Sequence, residues 1–183
     1  MQQEKKPSRI KWFIGTAFVF VLGILFAAGF SVAVEHTNTV EFCTSCHSQQ
    51  YPFEELKESV HWSNASGVHA GCADCHVPKS FFPKMYAKVM AYKDVYHEFM
   101  GTIDTREKFE AHRWEMANRV WDRMRATDSR ECRSCHAFEH MDLSEQDRFA
   151  RKKHEKAPER GETCIDCHQG IAHEMPEEPE EEA

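Results

Sequence analysis

No charged side chain occurs from Trp12 to Val34, a run of 23 positions. As a helix that run measures roughly 34 Å, enough to cross a bilayer core of about 30 Å. No A-x-A-like cleavage site closes it, and it is longer than the apolar stretch of a secretory leader. A retained signal-anchor over 12–34 is therefore expected, and a cleaved leader is the lesser reading. Alternation of apolar and polar residues is also scarce, so no strand-built fold is expected. Basic charge is in short supply beyond the N-terminus: 23 Lys and Arg stand against 30 Asp and Glu, for a net charge of -7. That balance excludes nucleic-acid binding through a basic surface. No cysteine stands outside a C-x-x-C-H pentapeptide.

Lys5, Lys6, Arg9 and Lys11 precede the apolar run. The positive-inside rule then puts residues 1–11 in the cytoplasm and everything after Glu35 on the far side of the membrane. The cysteines thus face an oxidising compartment. The sequence ends in EMPEEPEEEA, and residues 174–183 are expected to form an acidic, disordered tail.

The 8 cysteines fall in four blocks: CTSCH at 43–47, CADCH at 72–76, CRSCH at 132–136 and CIDCH at 164–168. The blocks form two couples, 29 residues apart from Cys43 to Cys72 and 32 from Cys132 to Cys164. His61 lies 11 residues before Cys72, and His154 lies 10 before Cys164, which has the look of an internal duplication. Two dihaem halves, about 41–79 and 130–173, are expected within a domain spanning 35–173. The joining segment is helix territory. Met85, Val89, Tyr92, Tyr96 and Phe99 recur at three or four within 80–100. A second helix is expected after Asp104 as N-cap, with Glu107 at N3 and a stripe of Phe109, Met116, Val120 and Met124 that also carries His112.

C-x-x-C-H reads as c-type haem attachment. Two thiols at that spacing form thioethers to the two vinyl groups on one macrocycle edge, and the adjacent His reaches the iron. Zinc ribbons also use C-x-x-C pairs but have no need of His after each one. A thioredoxin-like dithiol expects one pair in a βαβ setting. Four local disulfides would staple almost nothing. Four covalent haems c are therefore expected, on Cys43 and Cys46, Cys72 and Cys75, Cys132 and Cys135, and Cys164 and Cys167. His47, His76, His136 and His168 are the proximal ligands. The expected fold class is mainly α with much irregular structure: one transmembrane helix and a small domain organised around the haems.

Eight of the 12 histidines lie outside or beyond those ligand positions. The spacing singles out His61 and His154 as distal ligands, and His173, five residues after His168, is tethered close by. His97 and His112 stay open. His36, His69 and His140 are read as ordinary solvated side chains.

The anchor, the four blocks, and the stretches SVHWSNASGV, CADCHVPKSFFPKM, IDTREKFEAHR, ECRSCHAFEHMD and CIDCHQGIAH together resemble the NapC/NirT family of tetrahaem quinol dehydrogenases. The resemblance covers nearly the whole chain from about Thr37 and includes the anchor. It is greatest to the NapC branch, which serves periplasmic nitrate reductase; NirT, which serves a nitrite reductase, is a near neighbour. No further haem block follows the fourth, so the tetrahaem form is expected over the pentahaem one. The resemblance implies oxidation of a membrane quinol, menaquinol or ubiquinol, and delivery of electrons to a soluble periplasmic reductase. It also implies that a Lys and an acidic residue after the second haem line the quinol site beside the first haem. MYAKVMAYKDVYH offers Lys88 and Asp94 for these roles, with Lys93 as the substitute for Lys88. Lys88 and Asp94 are six residues apart, about 120° around a helix. Two positions depart from the family. Gln49 stands where many members carry a Met, which leaves His47 as proximal ligand of the first haem. Lys79 stands where some carry a His, and its ordinary reading is a solvated cation. A multihaem reductase acting directly on a nitrogen oxyanion and a passive haem relay docked to a separate quinol-oxidising subunit are the competing readings.

Overall fold

A computed structural model describes residues 9–179. The expected cytoplasmic segment 1–11 and the end of the acidic tail therefore lie largely outside the described residues. The chain divides into two units, residues 1–38 and 39–183.

The first unit is helix α1, Arg9–His36, 28 residues with no buried side chain. It is long and apolar enough to cross a membrane. Its apolar residues surround the whole circumference, as in a helix whose surroundings are themselves apolar.

The second unit is helical, with no strand among the described residues. Its helices are α2 (Val40–Cys43), α3 (Gln50–Glu58), α4 (Cys72–His76), α5 (Phe81–Met90), α6 (Tyr92–Phe99), α7 (Arg106–Ala126), α8 (Arg130–Arg133), α9 (Arg148–Arg160) and α10 (Cys164–Cys167). Short 3₁₀ turns cover His47–Gln49, Phe138–His140 and Leu143–Glu145. The ordinary apolar core is small. Its cluster is Trp121, Met124 and Ile165, where α10 packs on α7, with Trp114, Ala117 and Val120 around it. The Ser129 hydroxyl, fully buried, accepts the Ile165 N–H at 3.1 Å and ties the fourth block to the third.

Two details of the joining segment differ from expectation. Helix α7 is capped by Thr105 and not Asp104: Thr105 is extended and its hydroxyl accepts the Lys108 N–H at 3.4 Å. Asp104 instead accepts from Lys108 Nζ at 2.8 Å, and Glu107 moves to the second position of the helix. The buried face of α7 comprises Phe109, Arg113, Trp121 and Met124, so a charged residue is buried next to His112, while Met116 and Val120 of the expected stripe are only half-buried. On α5 and α6, Val89, Tyr92, Tyr96 and Phe99 do line up, but they are exposed.

Candidate functional site

Each block sits on or beside a one-turn helix, and the x residues explain how so short a helix holds. In the second and fourth blocks the residue before the last Cys is Asp. Asp74 Oδ2 accepts the Gly71 N–H at 3.0 Å, and Asp166 Oδ2 accepts the Thr163 N–H at 2.7 Å. Each carboxylate thus satisfies a backbone donor at the helix start. In the first and third blocks that residue is Ser. Ser45 Oγ donates to the Phe42 carbonyl and Ser134 Oγ to the Glu131 carbonyl, both at 2.7 Å. The two couples repeat each other at this level.

The blocks touch in chain order. Helix α2 packs on α4, and α4 on α8. A hydrogen bond from the Cys72 thiol holds Cys43 down to about 7, and Lys88 adds to that effect. The same bond, with burial, pushes Cys72 up. Burial raises Cys75 to about 11, with the Cys132 sulfur as the next cause. Burial and the Cys164 sulfur raise Cys132. Attachment sulfurs of neighbouring blocks are therefore electrostatic neighbours from first to fourth. None of the eight cysteines is in a disulfide.

The imidazoles test whether these residues fit haem. A ring nitrogen binds a first-row metal at about 2.0–2.1 Å and lies about 1.1 Å from its ring centroid, so two imidazoles on one iron stand about 6.3 Å apart, centroid to centroid. His61 and His136 are 6.2 Å apart, His76 and His173 6.2 Å, and His154 and His168 5.9 Å. Among the described residues no group of three or more His, Cys, Asp or Glu could cage a bare metal ion. Imidazoles in opposed pairs beside paired thiols are the donor set for a macrocycle that supplies its own equatorial nitrogens.

Further contacts orient these rings. His154 Nδ1 lies 2.6 Å from Gln146 Oε1, and His173 Nδ1 lies 3.0 Å from the Pro52 carbonyl. A donor at Nδ1 leaves Nε2 as the lone-pair nitrogen facing the partner ring. Burial pushes His76 down to about 4 and also lowers His173, so both are neutral at pH 7, as metal ligation requires. Gly170, at φ +70, turns the chain between His168 and His173; a Cβ there would meet Met175 Cγ at 2.8 Å. Glu174 is the start of the expected disordered tail, yet it is held. Its N–H donates to Glu55 at 3.0 Å and its carbonyl accepts from Arg113 at 2.9 Å.

The first block is different. The exposed His47 ring meets Tyr51 edge-on at 5.6 Å. Neither undecided histidine closes on it: His97 is edge-on to Tyr96 at 5.5 Å, and His112 Nδ1 is 2.8 Å from the Lys108 carbonyl. Lys88 acts on Cys43, and Asp94 on Cys46, so both predicted quinol-site residues lie by this block. Asp94 reaches solvent, but the surrounding protein desolvates its carboxyl and raises it, against the pull of Arg119, Arg123, His97 and Lys93. Lys79 is exposed, and His69 stands edge-on to Trp62 at 5.2 Å. Sequence reasoning missed Glu98, whose Oε1 accepts the His47 N–H at 2.9 Å while Oε2 is buried without a partner. Its position four residues after Asp94, on the same helix face, was the available sign. It also missed Gln146 and the Glu55–Arg113 pair, for which no local pattern exists.

Residues 5–178 match the family model described as the NapC/NirT cytochrome c family, N-terminal region. A tetraheme cytochrome c-type protein of Allochromatium vinosum is 58% identical over 168 residues, 92% of this chain and 91% of the relative. The denitrification system component NirT of Stutzerimonas stutzeri is 52% identical over 88% of this chain and 81% of its own length. The cytochrome c-type protein NapC of Escherichia coli K12 is 49% identical over 94% and 87%. No solved structure matches. With its haem-attachment blocks, its opposed imidazoles and an N-terminal helix fit for a single-pass membrane anchor, the chain belongs to the NapC/NirT family of electron-transferring c-type cytochromes.

Proposed function

We propose that this protein is a membrane-anchored tetrahaem quinol dehydrogenase that oxidises menaquinol or ubiquinol and delivers the electrons to a soluble periplasmic reductase, periplasmic nitrate reductase foremost. The N-terminus is cytoplasmic, 12–34 span the membrane and 35–173 are periplasmic. The first haem is held by Cys43, Cys46 and His47. The second is held by Cys72 and Cys75 between His76 and His173, the third by Cys132 and Cys135 between His136 and His61, and the fourth by Cys164 and Cys167 between His168 and His154. Haem c, when bound, takes up and releases single electrons.

The observation that carries the reading is the contrast between the first block and the other three. Three blocks have an opposed imidazole at 5.9–6.2 Å. The first has Tyr51 beside an exposed His47, with Lys88 and Asp94 near its two cysteines. A quinol loses two electrons and two protons on becoming a quinone. Lys88 can donate a hydrogen bond to a quinol oxygen. Asp94, whose carboxyl is raised from its ordinary value by burial, can accept a proton from the hydroxyl. Lys93 also acts on Asp94, after Arg119, Arg123 and His97. Glu98 keeps the His47 backbone in place by accepting its N–H.

The test is stopped-flow reduction of the purified holoprotein by menaquinol and ubiquinol analogues, then reoxidation by candidate nitrate and nitrite reductases. Reduction by quinol, slowed at least tenfold in Lys88→Ala and Asp94→Asn, is expected. Reduction by dithionite but by no quinol would favour the passive relay. Appreciable nitrite turnover by the protein alone would favour a direct reductase.

A further inference from the structure

The amphipathicity of α5 and α6 is inverted. Lys88 on α5 acts on Cys43, and Asp94 and Glu98 on α6 act on Cys46 and His47, so the charged sides of both helices face the first block. Phe82, Tyr86 and Val89 lie about 100–160° around α5 from Lys88. Tyr92, Val95, Tyr96 and Phe99 lie about 100–200° around α6 from Asp94. These seven large apolar side chains are 48–86% exposed. Scattered exposed apolar residues need no explanation, but a continuous stripe turned away from the domain's own chemistry does.

We infer that the α5–α6 face is a lipid-contact surface, lying in the headgroup and upper acyl region of the bilayer with its aromatic side toward the lipid. Three observations select lipid over a protein partner. Three of the seven residues are Tyr, whose rings sit at the acyl boundary while their hydroxyls reach the headgroups. Of the charged residues in 79–100, Lys84, Lys88, Asp94 and Glu98 are on the inward side, so the charges left to flank the aromatic stripe, Lys79 and Lys93, are both exposed cations in a protein of net charge -7. A locally cationic, aromatic face complements an anionic phospholipid surface. Lastly, the chain that bears this face also carries a helix fit to cross a bilayer. The consequence for function is that quinol would reach Lys88 and Asp94 from lipid without crossing water. The inference rests on the anchoring reading and not on quinol chemistry.

The test uses the full-length holoprotein in vesicles of phosphatidylethanolamine and phosphatidylglycerol, with a trace of phospholipid bearing a diazirine high on its acyl chain. After irradiation, adducts are mapped by peptide mass spectrometry. Adducts are expected in α1 and in 81–100, with none in α9. The Phe82→Ser/Tyr96→Ser/Phe99→Ser variant should lose the 81–100 adducts at least about tenfold relative to α1. If that variant fails to mature, labelling of the unsubstituted protein decides alone. Adducts confined to α1 would overturn the inference. So would protection of 81–100 that arises only when a soluble reductase is added, because the face would then belong to a protein. Labelling of 81–100 without α1 would overturn the anchor and leave the lipid face standing; labelling of neither overturns both.

Discussion

Replacing Arg113 with Met is expected to destabilise the second unit by about 3–5 kcal/mol, the cost of leaving one member of a buried ion pair alone. Arg113 is 8% exposed and the Glu55 side chain 7%. Arg113 Nη1 donates to Glu55 Oε1 at 2.7 Å, Nη2 donates to the other carboxylate oxygen, and Nη1 also reaches Glu110 at 3.2 Å. The same two side chains grip Glu174 by its carbonyl and its N–H. Helices α3 and α7 are thereby joined to the segment that carries His173. Burial pushes Glu55 up, but the Arg113 hydrogen bonds, the Glu174 N–H and the Arg113 charge together outweigh it and hold the carboxyl below its ordinary 4.5. A depressed carboxyl pKa means that the stabilisation is fully present above 4.5 and is lost as pH falls through the lower folded value. At pH 7 the Arg113→Met variant retains the buried Glu55 charge without a cation, with the Glu174 N–H as its remaining donor. The expected cost is a more than hundredfold drop in the folded-to-unfolded ratio.

Two assays on the holoprotein separate stability from positioning. Urea unfolding of Arg113→Met, Glu55→Met and the double variant should give a double-mutant cycle in which the double change recovers most of either single loss, since apolar replacement of a whole buried pair is often neutral. Optical and EPR spectra should show one low-spin haem altered in all three variants, because His173 loses the grip on its neighbour Glu174. His154 shares no partner with this pair, so its haem should be unchanged. Single variants within about 0.5 kcal/mol of the parent would show that the pair is not buried in solution. A destabilised variant with all spectra unchanged would refute the positioning role of the clamp.

Three further outcomes are expected. His61→Met, His154→Met and His173→Met should each perturb one haem, those on Cys132 and Cys135, Cys164 and Cys167, and Cys72 and Cys75 respectively, as read by low-temperature EPR; a change in the haem of the same half for His61→Met would contradict the assignment. Quinol oxidation should fall off as pH drops through the raised Asp94 value, higher than the ordinary 3.8, because the protonated acid cannot accept a proton; Asp94→Asn should be slow and lack that limb in a pH–rate profile. Asp74→Ala should lower stability by about 1 kcal/mol through loss of the helix-start contact. Asp166→Ala should cost more in denaturant titration, because Asp166 also accepts from Arg125 at 2.7 Å.

Features with a local cause were legible in the sequence. The four blocks carry haem chemistry in five consecutive residues each, and the uncharged run that became α1 needs only composition. His154 faces His168, 14 residues on, and a ligand so near its block in sequence has little loop entropy to overcome. His61 and His173 were singled out by the same spacing, although the rings they face are remote in sequence. The apolar period of α5 and α6 was legible too, but period reports a face and not what covers it. Protein buries such a stripe in most domains, and here it stays exposed while Lys88, Asp94 and Glu98 turn inward. Thr105 displaced Asp104 as the cap because Asp104 has a stronger use with Lys108, a choice set by side-chain geometry.

The pairing of imidazoles was out of reach for a different reason. The spacing of His61 and His154 leaves open which block each serves, and only His154 faces an imidazole of its own half. His61 faces His136 of the other half, while His76 faces His173 from the far end of the chain. The short helices of the two couples are equivalent, down to the Ser and Asp contacts within each block, so the duplication survives where bonds are local. It fails where bonds are long-range, because packing α4 on α8 brings the second block of one half against the first block of the other. A domain with so small an apolar core gains cohesion if its iron ligands also join its halves. The crossed ligation we propose would do this: losing His61 or His173 would loosen the contact between halves, whereas losing His154 would disturb only the second. Of the three His→Met variants, His154→Met should therefore have the smallest effect on urea unfolding, and equal losses would show that the halves are held together by the protein core alone.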